Sequence, residues 1–331
     1  MKKSIIALAT ATVLTAGIAT VANACTTLVY NNDKAAVSMR TMDWVGHDDA
    51  KVVGDGKGME RQYANTKDAV TTTSKFAALK ISSFLPGIVA EAMNEEGLEA
   101  RILYLGSDYT QFGQPTDAKP DVDALMIPQW AADNFSTVKE VVANLHKIDV
   151  IDNGVCGLPP HDDMTHCKEN APVHYQFADR SGDTAVVEFI NGEMKVYQED
   201  GSAYMSNDPE FSFHLLLDKE QTEAGASIRA YDRRLRGKAV LEDMYKRNVT
   251  DINAVKVAMK AAANTVFSGY EQEDPYVGGV FPTLWTVHTD RNAGEWVLDR
   301  HDTWEIETYN FSQFDTNKAE RQVLGAHPKA K

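Results

Sequence analysis

Alternating apolar and polar residues open the interpretable part of the chain. "CTTLVY" (25–30) and "AAVSMRT" (35–41) flank the polar "NNDK", which predicts two strands joined by a hairpin turn. "VHYQFADRSGDTAVVEFINGEMKVYQ" (173–198) reads as three strands, with turns at 180–183 and at Asn191-Gly192. "TLWTVHTDRNAGEWVLDR" repeats the pattern around a turn at 292–294, and "TWEIETYNF" follows as a further strand. Helical spacing lies between these runs. "DALMIPQWAADNFSTVKEVVANLHKI" places apolar residues at i, i+3 and i+4, with Pro128 breaking or starting a turn and Ser136 as a cap near Glu140. "AYDRRLRGKAVLEDMYKR" and "DINAVKVAMKAAANTVF" are two more helices, the second capped by Asp251. Segments 50–75 and 267–282 read as loops. Strands, then helices, then strands predict an α+β layered protein with mainly antiparallel sheets. No repeat or linker divides it, so residues 25–331 are expected to form one domain.

The first hairpin carries chemistry. If its loop is 31–34, Tyr30 pairs with Ala35 and Cys25 lies opposite Arg40. Opposed side chains in such a pair have Cβ atoms about 5 Å apart. A guanidinium beside a thiol favours the thiolate. Asp43, three residues beyond Arg40, is placed to orient a cation near Cys25. An ordinary surface ion pair between Arg40 and Asp43 is the plainer reading, and such a pair contributes little.

The first 24 residues change the meaning of Cys25. Lys2 and Lys3 precede the apolar, threonine-softened "IIALATATVLTAGIATV", and Ala22 and Ala24 form an A-x-A cleavage pattern. Residues 1–24 are therefore expected to be an export signal, removed to leave a periplasmic or secreted protein that is free of the membrane. Cleavage after Ala24 would give Cys25 the chain's α-amine, a base with an unperturbed pKa of about 8. Nucleophile and base would then share one residue. The alternative is lipidation of Cys25, although Ala22 and Asn23 fit a lipobox poorly. That would block both groups and leave an anchored, non-catalytic envelope binding protein.

Composition narrows the partners. Hydrophobic residues make up 43% of the 331, enough for a sizeable core. Losing the two lysines of residues 1–24, which hold no acid, takes the formal charge from −15 to −17. Such a surface disfavours nucleic acid and anionic lipid. The other cysteines, Cys156 and Cys167, lie in "CGLPPHDDMTHC" and suit a disulfide in an oxidising compartment. A zinc site using His161 and His166 is the rival, but the spacing matches no common zinc motif. No metal or organic cofactor is expected.

Several segments in order, "CTTLVY", "RTMDW", "MNEEGL", "LYL", "VHYQFADRSGDTAVVEFINGEMKVY", "MSNDPEF", "AYDRRLRG" and "LWTVHTD", resemble the choloylglycine hydrolase family of N-terminal nucleophile amidases. Bile salt hydrolases and penicillin V acylases belong to that family, and the exported form looks most like its Gram-negative branch. The resemblance implies an αββα fold of two stacked antiparallel sheets between helix layers, commonly a homotetramer. It implies hydrolysis of a linear C–N amide in a small-molecule substrate. By position, Cys25 matches the nucleophile, Arg40 the arginine beside it, and Asp43 the aspartate that holds the amine. Asn207 and Tyr104 match the oxyanion donors, Arg233 a second site arginine, and Trp44 a substrate-contacting tryptophan. Arg234 stands where the family usually has phenylalanine, so Arg229 and Arg236 stay open beside Arg233. Without the resemblance, Asn207 would be a turn residue, Tyr104 a core aromatic and Arg233 a solvated helix residue. Expected substrates are phenoxyacetyl amides or N-acyl homoserine lactones, with conjugated bile salts as the alternative.

Overall fold

The computed structural model describes residues 25–85, 87–157, 167–168, 171–198, 201–220, 223–274 and 279–328. The proposed export signal and the candidate zinc ligands His161 and His166 lie outside them. Among the described residues, fourteen strands build two main sheets. They are β1 (Thr26–Asn31), β2 (Ala36–Asp43), β3 (Lys51–Asp55), β4 (Ala78–Ser82), β5 (Val89–Asn94), β6 (Glu99–Tyr104) and β7 (Val173–Ala178). The remaining seven are β8 (Thr184–Ile190), β9 (Glu193–Gln198), β10 (Tyr204–Met205), β11 (Thr283–Asp290), β12 (Glu295–Arg300), β13 (Glu305–Asn310) and β14 (Arg321–Ala326). The α-helices among the described residues are α1 (Ile127–Asn134), α2 (Val138–Leu145), α3 (Phe211–Glu220), α4 (Ala230–Lys246) and α5 (Ile252–Val266).

The six-stranded sheet has the order β10-β1-β2-β11-β12-β13 and the eight-stranded sheet β9-β8-β7-β6-β5-β4-β3-β14. Both are antiparallel throughout. One apolar core, with Met42, Trp285 and Leu298 from the first sheet and Leu79, Ile81 and Leu103 from the second, lies between them. The outer face of the first sheet, through Leu28, Tyr30, Val37 and Met39, packs on α4 and α5. The outer face of the second, through Ile102, Tyr175 and Phe189, packs on the α1–α2 region. The layers are therefore αββα. The alternation of side chains along each strand explains this, because every central strand must bury both faces.

Several local expectations change. Pro128 starts α1 rather than breaking it. The cap of α2 is Thr137, not Ser136: Thr137 accepts from the Glu140 amide in a reciprocal capping box, and Ser136 bonds the same Glu140 carboxylate. Asp251 caps α5 through the Ala254 amide at 2.9 Å. Segment 50–75 is not all loop, since it contains β3 and a short hairpin of 60–62 on 71–73. Cys156 is disulfide-bonded and lies in register with Cys167 across a two-stranded ribbon, while Cys25 is free. Among the described residues, no group of side chains is arranged to hold a metal ion.

The hairpin register is the correction that matters most. Asn32 accepts from the amides of Lys34 and Ala35, both at 2.8 Å, and its own amide donates to Ala35 O. This local closure moves the loop to 32–35, so Asn31 pairs with Ala36 and Thr27, not Cys25, pairs with Arg40. The shift is two residues. Because strand faces repeat every two residues, Arg40 stays on the face of Cys25 and becomes its diagonal neighbour.

Helix α4 reaches β1 closely because Gly237 faces Leu28: a Cβ there would collide with a Leu28 methyl. Gly237→Ala gains about 1 kcal/mol in helix propensity but overpacks a buried contact at about 1–3 kcal/mol. Denaturant melts are expected to show a net loss of about 1 kcal/mol, whereas Lys246→Ala at an exposed position of the same helix should change stability little.

Candidate active site

Cys25 directly precedes β1 and is 2% exposed. Its Sγ lies 3.9 Å from Nη2 of Arg40, 4.0 Å from Sδ of Met42 and 3.9 Å from the carbonyl oxygen of Asp43. Burial pushes the thiol above its ordinary pKa. Arg40 pulls it down, Asp43 adds to the rise, and a hydrogen bond to the Asp43 backbone and the charge of Arg233 oppose it. Desolvation wins, so the Cys25 thiol is protonated at neutral pH.

Arg40 is held from three sides. Its Nη2 donates to Ile102 O at 3.1 Å, its guanidinium lies 4.7 Å from the Trp285 ring centre, and its Nε is 3.9 Å from Oε2 of Glu91. It is a buried residue, not part of a surface ion pair, and the carboxylate facing it is Glu91.

Asp43 ends β2 and is fully buried. Neither carboxylate oxygen has a well-formed hydrogen bond; Arg233 Nη1 approaches to 3.7 Å. Burial pushes the group up to about 7, against Arg233, the Thr283 and Thr41 hydroxyls, and Arg40. A buried carboxylate with so little hydrogen bonding is costly unless a cation joins it.

Arg233 resolves the choice among the arginines of α4. Nη1 donates to Cys25 O at 2.8 Å and to the Thr26 hydroxyl, Nη2 donates to Oδ1 of Asn207 at 3.0 Å, and Nε donates to Ile228 O at 2.7 Å. Arg234, in the place of the family's phenylalanine, leaves the site: it pairs with Asp218 and stacks on the rings of Tyr204 and Phe211. Arg236 donates to the Thr265 and Gly225 carbonyls instead, and Arg229 sits at the N-cap of α4.

Asn207 is buried rather than a surface turn residue. With Oδ1 occupied by Arg233, its amide NH2 is oriented, and one proton goes to Tyr104 O at 2.9 Å. The second proton of that NH2 is available to a substrate. The Asn207 carbonyl is paired with Nε2 of His214 at 2.9 Å, and Gly106 N donates to Asp208 Oδ1 at 2.7 Å, which fixes the strand end of Tyr104 against this turn. Burial raises the Tyr104 hydroxyl further above its ordinary value, and Asp208 and Asp108 add to it, so the hydroxyl remains a donor. Trp44 packs edge-on to Tyr104 at 6.1 Å and against Phe84 at 4.7 Å.

A mostly apolar cavity of about 60 Å³ opens beside the thiol, lined by Cys25, Arg40, Met42, Trp44, Phe84 and Tyr104, among others. The structure thus brings together Cys25, Arg40, Asp43, Trp44, Tyr104, Asn207 and Arg233, and leaves Cys156 in its separate ribbon. Sequence reasoning missed Thr26 and Ser206, which tie Cys25 down: Ser206 Oγ donates to Cys25 O at 2.9 Å. It also missed Glu91, whose signal was a single acid inside the apolar run "IVAEAM".

The family "Linear amide C-N hydrolases, choloylglycine hydrolase family" matches residues 25–224. Penicillin V acylase of Pectobacterium atrosepticum is 28% identical over 251 residues, 71% of this chain and 63% of that protein. The aligned stretch thus spans less than two thirds of that relative. The structure of penicillin V acylase from Agrobacterium tumefaciens superposes with a TM-score of 0.77 at 23% identity, covering 91% of this chain and 92% of that one. A variant of conjugated bile acid hydrolase from Clostridium perfringens gives 0.76 at 16% identity, covering 91% and 96%. These two likenesses establish the shared fold.

The elevated Asp43 carboxyl makes a stability prediction. Its folded pKa lies above the unfolded value, so its contribution is fully present below about pH 4 and is lost as pH rises through about 7. In the chain retaining residues 1–24, Asp43→Asn is expected to raise stability at pH 8 by on the order of a few kcal/mol and to change it little at pH 4. Thermal melts at the two pH values check this.

Proposed function

The chain belongs to the choloylglycine hydrolase family of linear amide C–N hydrolases, and on that premise we propose that it hydrolyses amides of apolar acyl groups with Cys25 as the nucleophile. The observation that carries this is the buried, sparsely bonded Asp43 carboxylate beside a buried thiol and two arginines. Removal of residues 1–24 during export turns the Cys25 amide nitrogen into an amine. Its ammonium form supplies Asp43 with a hydrogen-bonding cation beside Arg233, and its neutral form takes the thiol proton. The uncleaved chain has neither base nor thiolate and is a latent precursor.

The reaction then follows from the groups present. The thiol proton passes to the α-amine as sulfur bonds to the substrate carbonyl carbon. The carbonyl oxygen becomes an oxyanion, which the free Asn207 N–H and the Tyr104 hydroxyl stabilise by roughly 3 kcal/mol each. The ammonium returns its proton to the leaving nitrogen as the C–N bond breaks, leaving an acyl-thioester. Water, deprotonated by the same amine, attacks the thioester carbon. The C–S bond breaks, the thiol regains its proton and the carboxylic acid departs. Arg233 fixes the Cys25 backbone and the Asn207 amide, while Arg40 offsets part of the cost of ionising sulfur.

The apolar lining around Trp44, Met42 and Phe84 favours aromatic or fatty acyl groups, such as phenoxyacetyl amides or N-acyl homoserine lactones, over steroid conjugates. Measuring kcat/KM on penicillin V, an N-acyl homoserine lactone and glycocholate tests this. The first or second is expected to exceed glycocholate by at least about tenfold, the discrimination of roughly 1–3 kcal/mol that an apolar pocket supplies, and the reverse order would overturn the substrate reading. Cys25→Ser is expected to lower kcat by roughly 10³-fold or more; an active serine variant would overturn the nucleophile.

A further inference from the structure

The interface between the two sheets contains a row of buried charges, of which only Arg40 enters the steps above. Glu91, on β5, stands across the interface from Arg40, with Oε2 3.9 Å from its Nε. Oε1 of Glu91 is 3.0 Å from Nε of Arg101, whose Nη2 is 2.6 Å from Glu99. Glu99 in turn meets Arg291 at 2.7 Å and accepts the Ser38 hydroxyl. All of these side chains are buried. The row therefore ends at Arg40, whose Nη2 is 3.9 Å from the Cys25 sulfur.

We propose that Glu91 is a positioning residue that sets the ionisation of Cys25 through Arg40: the Glu91 carboxylate and the Cys25 thiolate share one guanidinium, so ionising either opposes ionising the other. The reading rests on Cys25 as the nucleophile. Arg40 keeps its place without Glu91's charge, because Ile102 O and the Trp285 ring also hold it. What Glu91 contributes is partial neutralisation of that cation in a water-poor interior, where charge acts over several ångströms. Burial also raises the Glu91 carboxyl to about 7, against Arg101, with Glu99 adding to the rise and Arg40 opposing it. Near neutral pH, loss of the Glu91 charge thus makes Arg40 a stronger partner for sulfur.

The other charged groups facing this pair keep their partners. Asp48, which Arg40 also influences, accepts from Trp285 Nε1 at 2.7 Å and from Ser83. Asp43 and Arg233 face Cys25 from the α4 side and pair with each other at 3.7 Å. His174 lies on the same sheet and is paired with Glu188 at 2.9 Å.

The test reads sulfur directly, without hydrolysis. The rate of Cys25 alkylation by iodoacetamide is followed against pH, with the site confirmed by peptide mapping. Glu91→Gln is expected to lower the midpoint by about one pH unit, and Glu91→Asp to keep it within a few tenths. Alkylation at an unchanged or higher midpoint in Glu91→Gln would overturn the proposal. If the single variant does not fold, Glu91→Met removes the same charge and leaves Arg101 paired with Glu99, and the midpoint must still fall. A substrate panel that fails on all three amides would refute the proposed activity and leave this titration intact.

Discussion

The site depends on one guanidinium. Arg233 reaches from α4 to β1 and to the turn after β10, and its donors meet the Cys25 carbonyl, the Thr26 hydroxyl and the Asn207 amide oxygen. Each is a charge-assisted bond in a buried setting, stronger than its neutral counterpart. The fork geometry of arginine matters because one side chain fixes the proposed nucleophile, Cys25, and the proposed oxyanion donor, Asn207, relative to each other. Lysine has the charge but not the fork. Gly237 is the packing counterpart of this bond: with a Cβ at that position, α4 would stand farther from β1.

The surrounding charges are not there for stability alone. Arg40, Glu91, Arg101, Glu99 and Arg291 occupy an interface that leucine and valine would fill at no desolvation cost. Breaking one link strands its partner, at about 3–5 kcal/mol. A sheet interface that tolerates such a row gains a fixed electrostatic field next to sulfur. Asp43 shows the same trade more sharply. Its charge destabilises the fold as pH rises through about 7, and the proposed cleavage before Cys25 would set an ammonium beside it. The proposed function is thus bound to a group that the fold holds at a cost.

Much of this was legible in the chain, and the failures have physical causes. Hairpins with polar turns, such as β7–β8 and β11–β12, were readable because one rule sets both turn and alternation. Strands β4, β5 and β6 were not, because Lys80, Glu91, Glu99 and Arg101 are charged residues on buried strands. Helix α3, "FSFHLLLDKE", has apolar residues all around and buries only Phe211 and His214, so no stripe marks it. The candidate site residues came from motif order, not from spacing. Spacing alone placed Cys25 opposite Arg40, and Asn32 moved that register by two. The error was harmless only because two is the repeat of a strand. Arg233 could be separated from Arg229, Arg234 and Arg236 only by seeing which of them reaches Cys25.

Everything rests on what stands at the nitrogen of Cys25. Intact mass and N-terminal sequencing of the exported protein measure it directly. The account predicts a chain of residues 25–331 that begins with an unmodified cysteine. A retained 1–24 segment in active enzyme, or a diacylglyceryl group on Cys25, would contradict it.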